Sequence, residues 1–502
     1  MRPARRLRAR AAPPPRTHLL NFVIALPTDA ALTPAERFAL DLLVDLSAVL
    51  PFDGAGDVVR LRVVGEPNEC STAELRARDW GLGRGDGIVD VDRALLRFVA
   101  DVAGAETEQR SSASDRYGRV PASATRIVKE GLEREPVVSV VARSLAGAVR
   151  AVAGRRPLLV VDPWPEGRRW AAALSHDLDV VAWWPAFTAL RLAELARHGE
   201  LARVAHVLAA ATRTIARTPV WSALQALLAV EATYSVRSSW FVLCGRPTLA
   251  TARAGDLTYR PDSPAARRIM GAVREAGDEI GLHGSFATSD HHERFAEQRA
   301  ALQAITQTQT EGVRQHYLRM RAATTPRGMR AAGFTYDSTY GFADRNGFRL
   351  GVADVVPLWD AEHQRRVELD EAPFVWMDRA MSKYQHVEDP GAWIDDALLL
   401  ADRCRDVDGM WIGIWHPNLA PALGFPGAPA AYARLVAELT SRGAHVAPIG
   451  ELVAWRRARR ALRVAALADD GRAHVTGADD AQLARFTIRD RDGNAVSALP
   501  SR

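Results

Sequence analysis

Cysteine is scarce: Cys70, Cys244 and Cys404 are the only three in 502 residues. No two of them stand in a Cys-x-x-Cys spacing, which excludes a thiolate metal ribbon and a disulfide framework and fits a reducing compartment. Lysine is scarcer still, with only Lys129 and Lys383. The Arg- and Ala-rich composition that replaces it is a bias rather than a signal. The 65 basic and 60 acidic side chains leave a formal charge of +5, so no nucleic-acid partner is implied. No run reaches the ~18–20 apolar residues of a membrane span. There is no Gly-x-Ser-x-Gly nucleophile elbow around Ser175 or Ser285. The start is basic and Pro-rich, and the apolar stretch Leu19 to Leu26 that follows is too short and broken for a secretory signal. The expectation is a cytoplasmic protein. Hydrophobic residues at 48% and charged residues at 25% give ordinary globular composition, and the length predicts two or three domains.

The chain divides into four parts. Residues 1–16 read as a disordered basic tail, and 17–165 as a mixed α/β accessory domain. In that domain the helical stretches Ala35–Leu50, Ala94–Ala103 and Val137–Val152 alternate with runs such as Val58–Val64, and Glu106–Ser123 reads as a loop. No chemical constellation stands out there. From 166 to 460 short apolar runs alternate with amphipathic stretches. The strand candidates are Trp170–Leu174, Val236–Cys244, Glu279–His283, Val313–Leu318, Thr335–Tyr340, Phe374–Met377, Met410–Trp415 and His445–Pro448. Ser263-Pro264 and Thr325-Pro326 open helices, and Gly277, Gly333 and Gly443 close them. Repeated strand–helix alternation predicts a parallel sheet with crossovers, closed as a distorted (β/α)7–8 TIM-like barrel. Residues 181–230 interrupt it with helices over Trp183–Arg197 and Leu201–Arg217. The Trp183-Trp184 pair offers weak membrane-surface contact, against the alternative of a helical hairpin packed on the barrel. Residues 461–502 read as a small β appendage with a turn at Asp492–Asn494.

Barrels of parallel strands gather their active residues at the strands' carboxyl ends. Those ends read Ser175-His176-Asp177-Leu178-Asp179, His283-Gly284-Ser285, Arg314-Gln315-His316-Tyr317-Leu318-Arg319, Tyr336-Asp337-Ser338, Met377-Asp378 and Trp415-His416-Pro417-Asn418. Imidazole and carboxylate without thiolate suit zinc or another divalent first-row metal. Carboxylates two apart on a strand end can face one way, one for metal and one free as a base.

In this order the motifs resemble the polysaccharide deacetylase family, the NodB-homology or carbohydrate esterase family 4 group. The segments are 175–179, 277–285, 313–319, 336–342 with 346–349, and 414–418, covering roughly 166–460. The wording is similar to a cytoplasmic subgroup that accompanies bacterial surface-polysaccharide synthesis. The resemblance implies a NodB-like barrel and a metal-dependent hydrolase that removes an N-acetyl, or O-acetyl, group from a sugar or polysaccharide precursor. It implies Asp177 as base, Asp179 and His283 as metal ligands, and Arg314 as the group orienting the base. It also implies Tyr317 as oxyanion donor through its backbone N–H and His416 as general acid. Zinc is the expected metal, with Co, Ni or Mn as alternatives, and the expected partners are an acetylated glycan and polysaccharide-assembly enzymes.

The chain departs from the family at one point. Four residues after His283, where a second histidine is usual, stands Ala287. His316 is the candidate third ligand, with His291 and His292 as alternatives. Asp337, Arg319, Trp415 and Asn418 are candidate substrate contacts. Asp378, His176 and Arg349 fit either the site or structural pairing. Two further functions stay open: a non-catalytic relative that binds glycan or a partner, and C–N hydrolysis of a small amide.

Overall fold

The computed structural model describes residues 24–25, 32–52, 59–66, 68–153, 158–182, 186–214, 219–245, 259–467, 472–490 and 492–500. The basic tail 1–16 and the Trp183-Trp184 pair lie outside the described residues. Among the described residues no helix is long and apolar enough to cross a membrane.

Strands β1 (Ile24–Ala25), β2 (Val59–Val64), β3 (Leu82–Gly85) and β4 (Ile88–Asp92) form one sheet in the order β1-β2-β4-β3. Helices Pro34–Leu46, Arg93–Ala103 and Val137–Ala153 pack with it. Thr33 and Glu36 cap the first helix reciprocally, and it stops at Leu46, short of the expected Leu50, just before Ala48 turns to φ 60°. The expected loop from Glu106 begins as a short helix, Glu106–Arg110. Strand β5 (Val160–Val161) then leads into the barrel.

The barrel strands are β6 (Ala171–Leu178), β7 (Ser239–Leu243), β8 (Glu279–Gly284), β9 (Gly312–Gln315), β10 (Tyr336–Asp337), β11 (Val356–Asp360), β12 (Arg365–Glu371), β13 (Trp376–Met377), β14 (Met410–Ile414) and β15 (His445–Val446). They make a curled ten-stranded sheet in the order β11-β12-β10-β9-β8-β7-β6-β14-β13, with β15 beside the start of β6. Every pairing is parallel except β11 with β12. The near-continuous apolar runs of β6, β7 and β14 are buried at every residue, as parallel strands covered on both faces require. All eight expected strands are present, most with shorter bounds, and the antiparallel hairpin β11–β12 is additional. The curled sheet runs open from β11 at one end to β13 at the other.

Ser263 caps helix Pro264–Glu275 as expected. At the second Pro-marked helix, Thr325–Ala331, the cap position is Thr324 and makes no side-chain cap bond. Thr325 Oγ1 instead accepts from the Arg321 amide at 3.0 Å. The insertion holds helices Ala186–Arg197, Leu201–Thr214 and a third, Pro219–Thr233. The first two pack together, the second meets the Pro421–Leu423 turn and the third meets helix Ala428–Ser441, so a hairpin lies against the barrel. At the far end, β16 (Arg463–Leu467), β17 (Ala473–Thr476), β18 (Ile488–Arg489), β19 (Ala495–Val496) and β20 (Ala498–Pro500) form two small sheets. One of them pairs β18 with β5, and Gly493 at φ 87° makes the turn between β18 and β19.

Candidate active site and metal centre

Parallel register carries the expected residues to one rim. His283 ends β8 beside Arg314 on β9, while β6 delivers Asp177 and, just past its end, Asp179. The donor atoms of Asp179, His283 and His316 lie within 4.8 Å of one another. His283 Nε2 is 3.4 Å and His316 Nε2 3.5 Å from Asp179 Oδ1. That oxygen is buried and has no hydrogen-bond partner among the described residues. The His283 Nδ1 donates to the Arg314 carbonyl at 2.9 Å, which leaves Nε2 as the nitrogen that faces Asp179. An orphaned carboxylate oxygen faced by imidazole nitrogens fits a divalent cation, and an N/O set without sulfur fits zinc. His316 thus stands where a third ligand is needed. His291 is exposed beside Glu293 and His292 turns to the Ser289 carbonyl, so neither joins the cluster.

Asp177 is held differently. Arg314, fully buried, donates to Asp177 Oδ1 at 2.8 Å, to Ser175 Oγ at 3.0 Å and to the Ser338 carbonyl and hydroxyl, both at 2.9 Å. Burial alone would push the Asp177 carboxyl up. The Arg314 guanidinium outweighs it, with His283 and His416, and holds it below the usual carboxylate range. Asp179 is depressed further by His283, His316 and His416 against the same burial. His416 Nδ1 donates to Asp378 Oδ1 at 2.7 Å, and its Nε2 lies 3.7 Å from Asp179 and 4.0 Å from Asp177. Burial opposes its charge, but Asp378, Asp179 and Asp177 raise the imidazole to about 9. Tyr317 follows the strand in a left-handed conformation, φ 60°, a form that non-glycine residues hold mostly where the surroundings enforce it. Arg119 donates to its carbonyl at 2.9 Å.

These groups line a cleft of about 950 Å³. Of the expected substrate contacts, Asn418 lines it. Trp415 is core, stacked on Trp376. Arg319 is tied to Asp290 and to the Phe286 and Tyr117 carbonyls. Asp337 is buried beneath the rim, bonded to Thr339 and coupled to Glu371. Arg349 is a half-buried partner of Glu108, and His176 bridges the Trp415 carbonyl and Glu231. Each of these side chains already has an internal partner that a sequence does not reveal. The cleft also holds residues that sequence reading missed: Arg119 from the N-terminal part, and Arg379, Lys383 and Tyr384 beyond β13. The one available hint was that Lys383 is one of two lysines in the chain.

No family model and no curated protein matches the sequence. Among solved structures the chain is similar to a Mycobacterium smegmatis protein classed as a polysaccharide deacetylase. The identity is 21%, coverage is 59% of this chain and 93% of that one, and the TM-score is 0.41. It is similar also to the peptidoglycan deacetylase PdaC from Bacillus subtilis, at 12% identity, coverage of 59% and 93%, and TM-score 0.27. A third likeness is to BA3943, a carbohydrate esterase family 4 pseudoenzyme from Bacillus anthracis, at 11% identity, coverage of 56% and 65%, and TM-score 0.26.

Proposed function

We propose that the chain is a metal-dependent hydrolase of the polysaccharide deacetylase type, removing an acetyl group from a sugar or polysaccharide precursor. One observation carries this reading: a three-donor cluster, a guanidinium-held carboxylate and a carboxylate-held imidazole share one rim. Asp179, His283 and His316 would hold the metal, zinc by donor type. When bound, such a metal polarises an acyl carbonyl and acidifies water. Asp177, ionised and fixed by Arg314, accepts the proton of the attacking water. His416, oriented through Nδ1 by Asp378, gives its Nε2 proton to the leaving amine. The Tyr317 backbone N–H supports the developing oxyanion. Asn418 lines the cleft with a buried Oδ1 that has no hydrogen-bond partner among the described residues, suited to a sugar hydroxyl.

The test joins elemental mass spectrometry of the dialysed protein with acetate release from acetylated sugars. The wild type should carry about one divalent metal per chain. Asp177→Asn should keep the metal and lose turnover by roughly 10²-fold or more. Asp179→Ala and His283→Ala should lose the metal. A wild type that binds no metal even after zinc is added back would sink the enzyme reading and leave a non-catalytic glycan-binding relative. Full turnover in Asp177→Asn would remove Asp177 as the base.

A further inference from the structure

Past β13 the chain turns from Asp378, which orients His416, straight into Arg379 and a π-helical turn, Ala380–Tyr384, that carries Lys383. π-turns are rare and often mark functional positions. Arg379 and Lys383 line the candidate active cleft and also an adjoining groove. The groove's charged lining is Arg116, Arg191, Arg197, Arg379 and Lys383 against one carboxylate, Glu194. Glu194 is already bonded to Arg191 at 2.8 Å. Arg116 donates to the Tyr117 hydroxyl at 2.8 Å, and Arg119, on the cleft side, is paired with Asp115. Arg379 and Lys383 are half-buried, yet neither has a hydrogen bond or ion pair among the described residues. Glu194, already bonded to Arg191, and for Lys383 also Asp179, offset these charges only in part, and two adjacent cations taken partly out of water with so little counter-charge are costly. Burial, with Arg379 beside it, pushes the Lys383 ammonium down to about 8, and a bound anion would reverse that.

We propose that Arg379 and Lys383 form an anion subsite, and that the acetylated substrate carries a phosphate group which they bind. The acetylated part of this statement rests on the deacetylase reading; the anion subsite does not. Phosphate is favoured over carboxylate because it brings a charge of about −1.5 to −2 at neutral pH, matching two cations. An Arg fork and a Lys point charge are also both good donors to its oxygens.

The experiment measures binding and turnover separately. Binding of inorganic phosphate and of N-acetylglucosamine 1-phosphate is followed by calorimetry in the wild type, Arg379→Gln, Lys383→Gln and Lys383→Arg. Acetate release from the 1-phosphate, from neutral N-acetylglucosamine and from N-acetylglucosaminuronic acid gives ratios of kcat/KM. Each Gln variant should weaken binding of the phosphate-bearing ligands about tenfold or more, as loss of a charge-assisted hydrogen bond implies. The preference for the phosphorylated over the neutral sugar should fall by a similar factor, and Lys383→Arg should keep most of both. Phosphate binding that depends on both cations, with no acetate released from any sugar, would leave the subsite standing and remove the deacetylase reading. Turnover that favours the neutral sugar, with phosphate binding absent or equal in all variants, would remove the subsite and leave the deacetylase. A stronger preference for the uronate would overturn the assignment to phosphate.

Discussion

Asp177 and Asp337 are both buried carboxyls on barrel strands, and their neighbours push them in opposite directions. Asp177 meets Arg314, which outweighs burial and holds its carboxyl below the usual range. Asp337 faces Glu371, and Arg314 acts on the pair only weakly beside their burial. Burial pushes Asp337 up to about 6, and burial with the Asp337 charge raises Glu371 well above its usual range, so the two hold a proton between them. Both folded values lie above those of the unfolded chain, near 4. From about pH 4 the folded protein keeps protons that the unfolded chain has released, up to about pH 6 at Asp337 and beyond that at Glu371, and stability falls as pH rises through that range. Asp337→Asn removes its share, because an amide can donate to Glu371 without titrating. Melting temperatures at pH 4.5 and 7 should differ less in the variant than in the wild type. Equal differences in both proteins would mean that the pair does not share a proton.

Among the elements, β9 and β10 show how a missing side chain sets the sheet. Gly312 opens β9 under the Tyr336 ring of β10, where an added Cβ would lie 2.1 Å from Tyr336 Cζ. The ring in turn places its hydroxyl 2.7 Å from Glu279 Oε1 on β8. Gly312→Ala must displace the ring, and overpacking of this kind costs about 1–3 kcal/mol. Urea unfolding should show that loss, and in a Gly312→Ala/Tyr336→Leu cycle the two costs should be less than additive. Strict additivity would show that the ring moves aside freely. The same geometry explains what a sequence reveals. The parallel strands were legible because burial on both faces makes them apolar runs, as in Trp240–Leu243 and Met410–Ile414. The hairpin β11–β12 was not, because Pro357 breaks the first strand's pattern and the first half of Arg365–Glu371 is exposed and charged. Asp177, Asp179, His283, Arg314 and His416 were found because strand ends point to a rim. Arg119, Arg379 and Lys383 reach the same cleft from a loop and a π-turn, and no spacing in the chain foretells that.

At the scale of the molecule, the N-terminal part and the barrel share one apolar core. Phe38 stacks on Trp359 with centroids 5.0 Å apart, and Val102, Val137 and Val138 close around Gly351. Polar links cross the same boundary beside the site: Arg119 holds the Tyr317 carbonyl, and Arg319 donates to the Tyr117 carbonyl at 2.8 Å. Arg349 and Glu108 form an ion pair across it, with Arg349 also donating to the Val120 carbonyl. A core that continues across a chain boundary makes separate unfolding expensive, because either part alone would expose the shared face. Glu108→Ala leaves the half-buried Arg349 charge with only its carbonyl acceptors, a loss of about 1–3 kcal/mol. Tryptophan fluorescence reports mainly on the barrel, where Trp376, Trp393, Trp411 and Trp415 lie buried, whereas far-ultraviolet dichroism reports on helices of both parts. Both midpoints should therefore fall together in Glu108→Ala. A dichroism transition that separates from the fluorescence one, with only one of them moved by the substitution, would show that the two parts hold their folds independently and that the shared core contributes little.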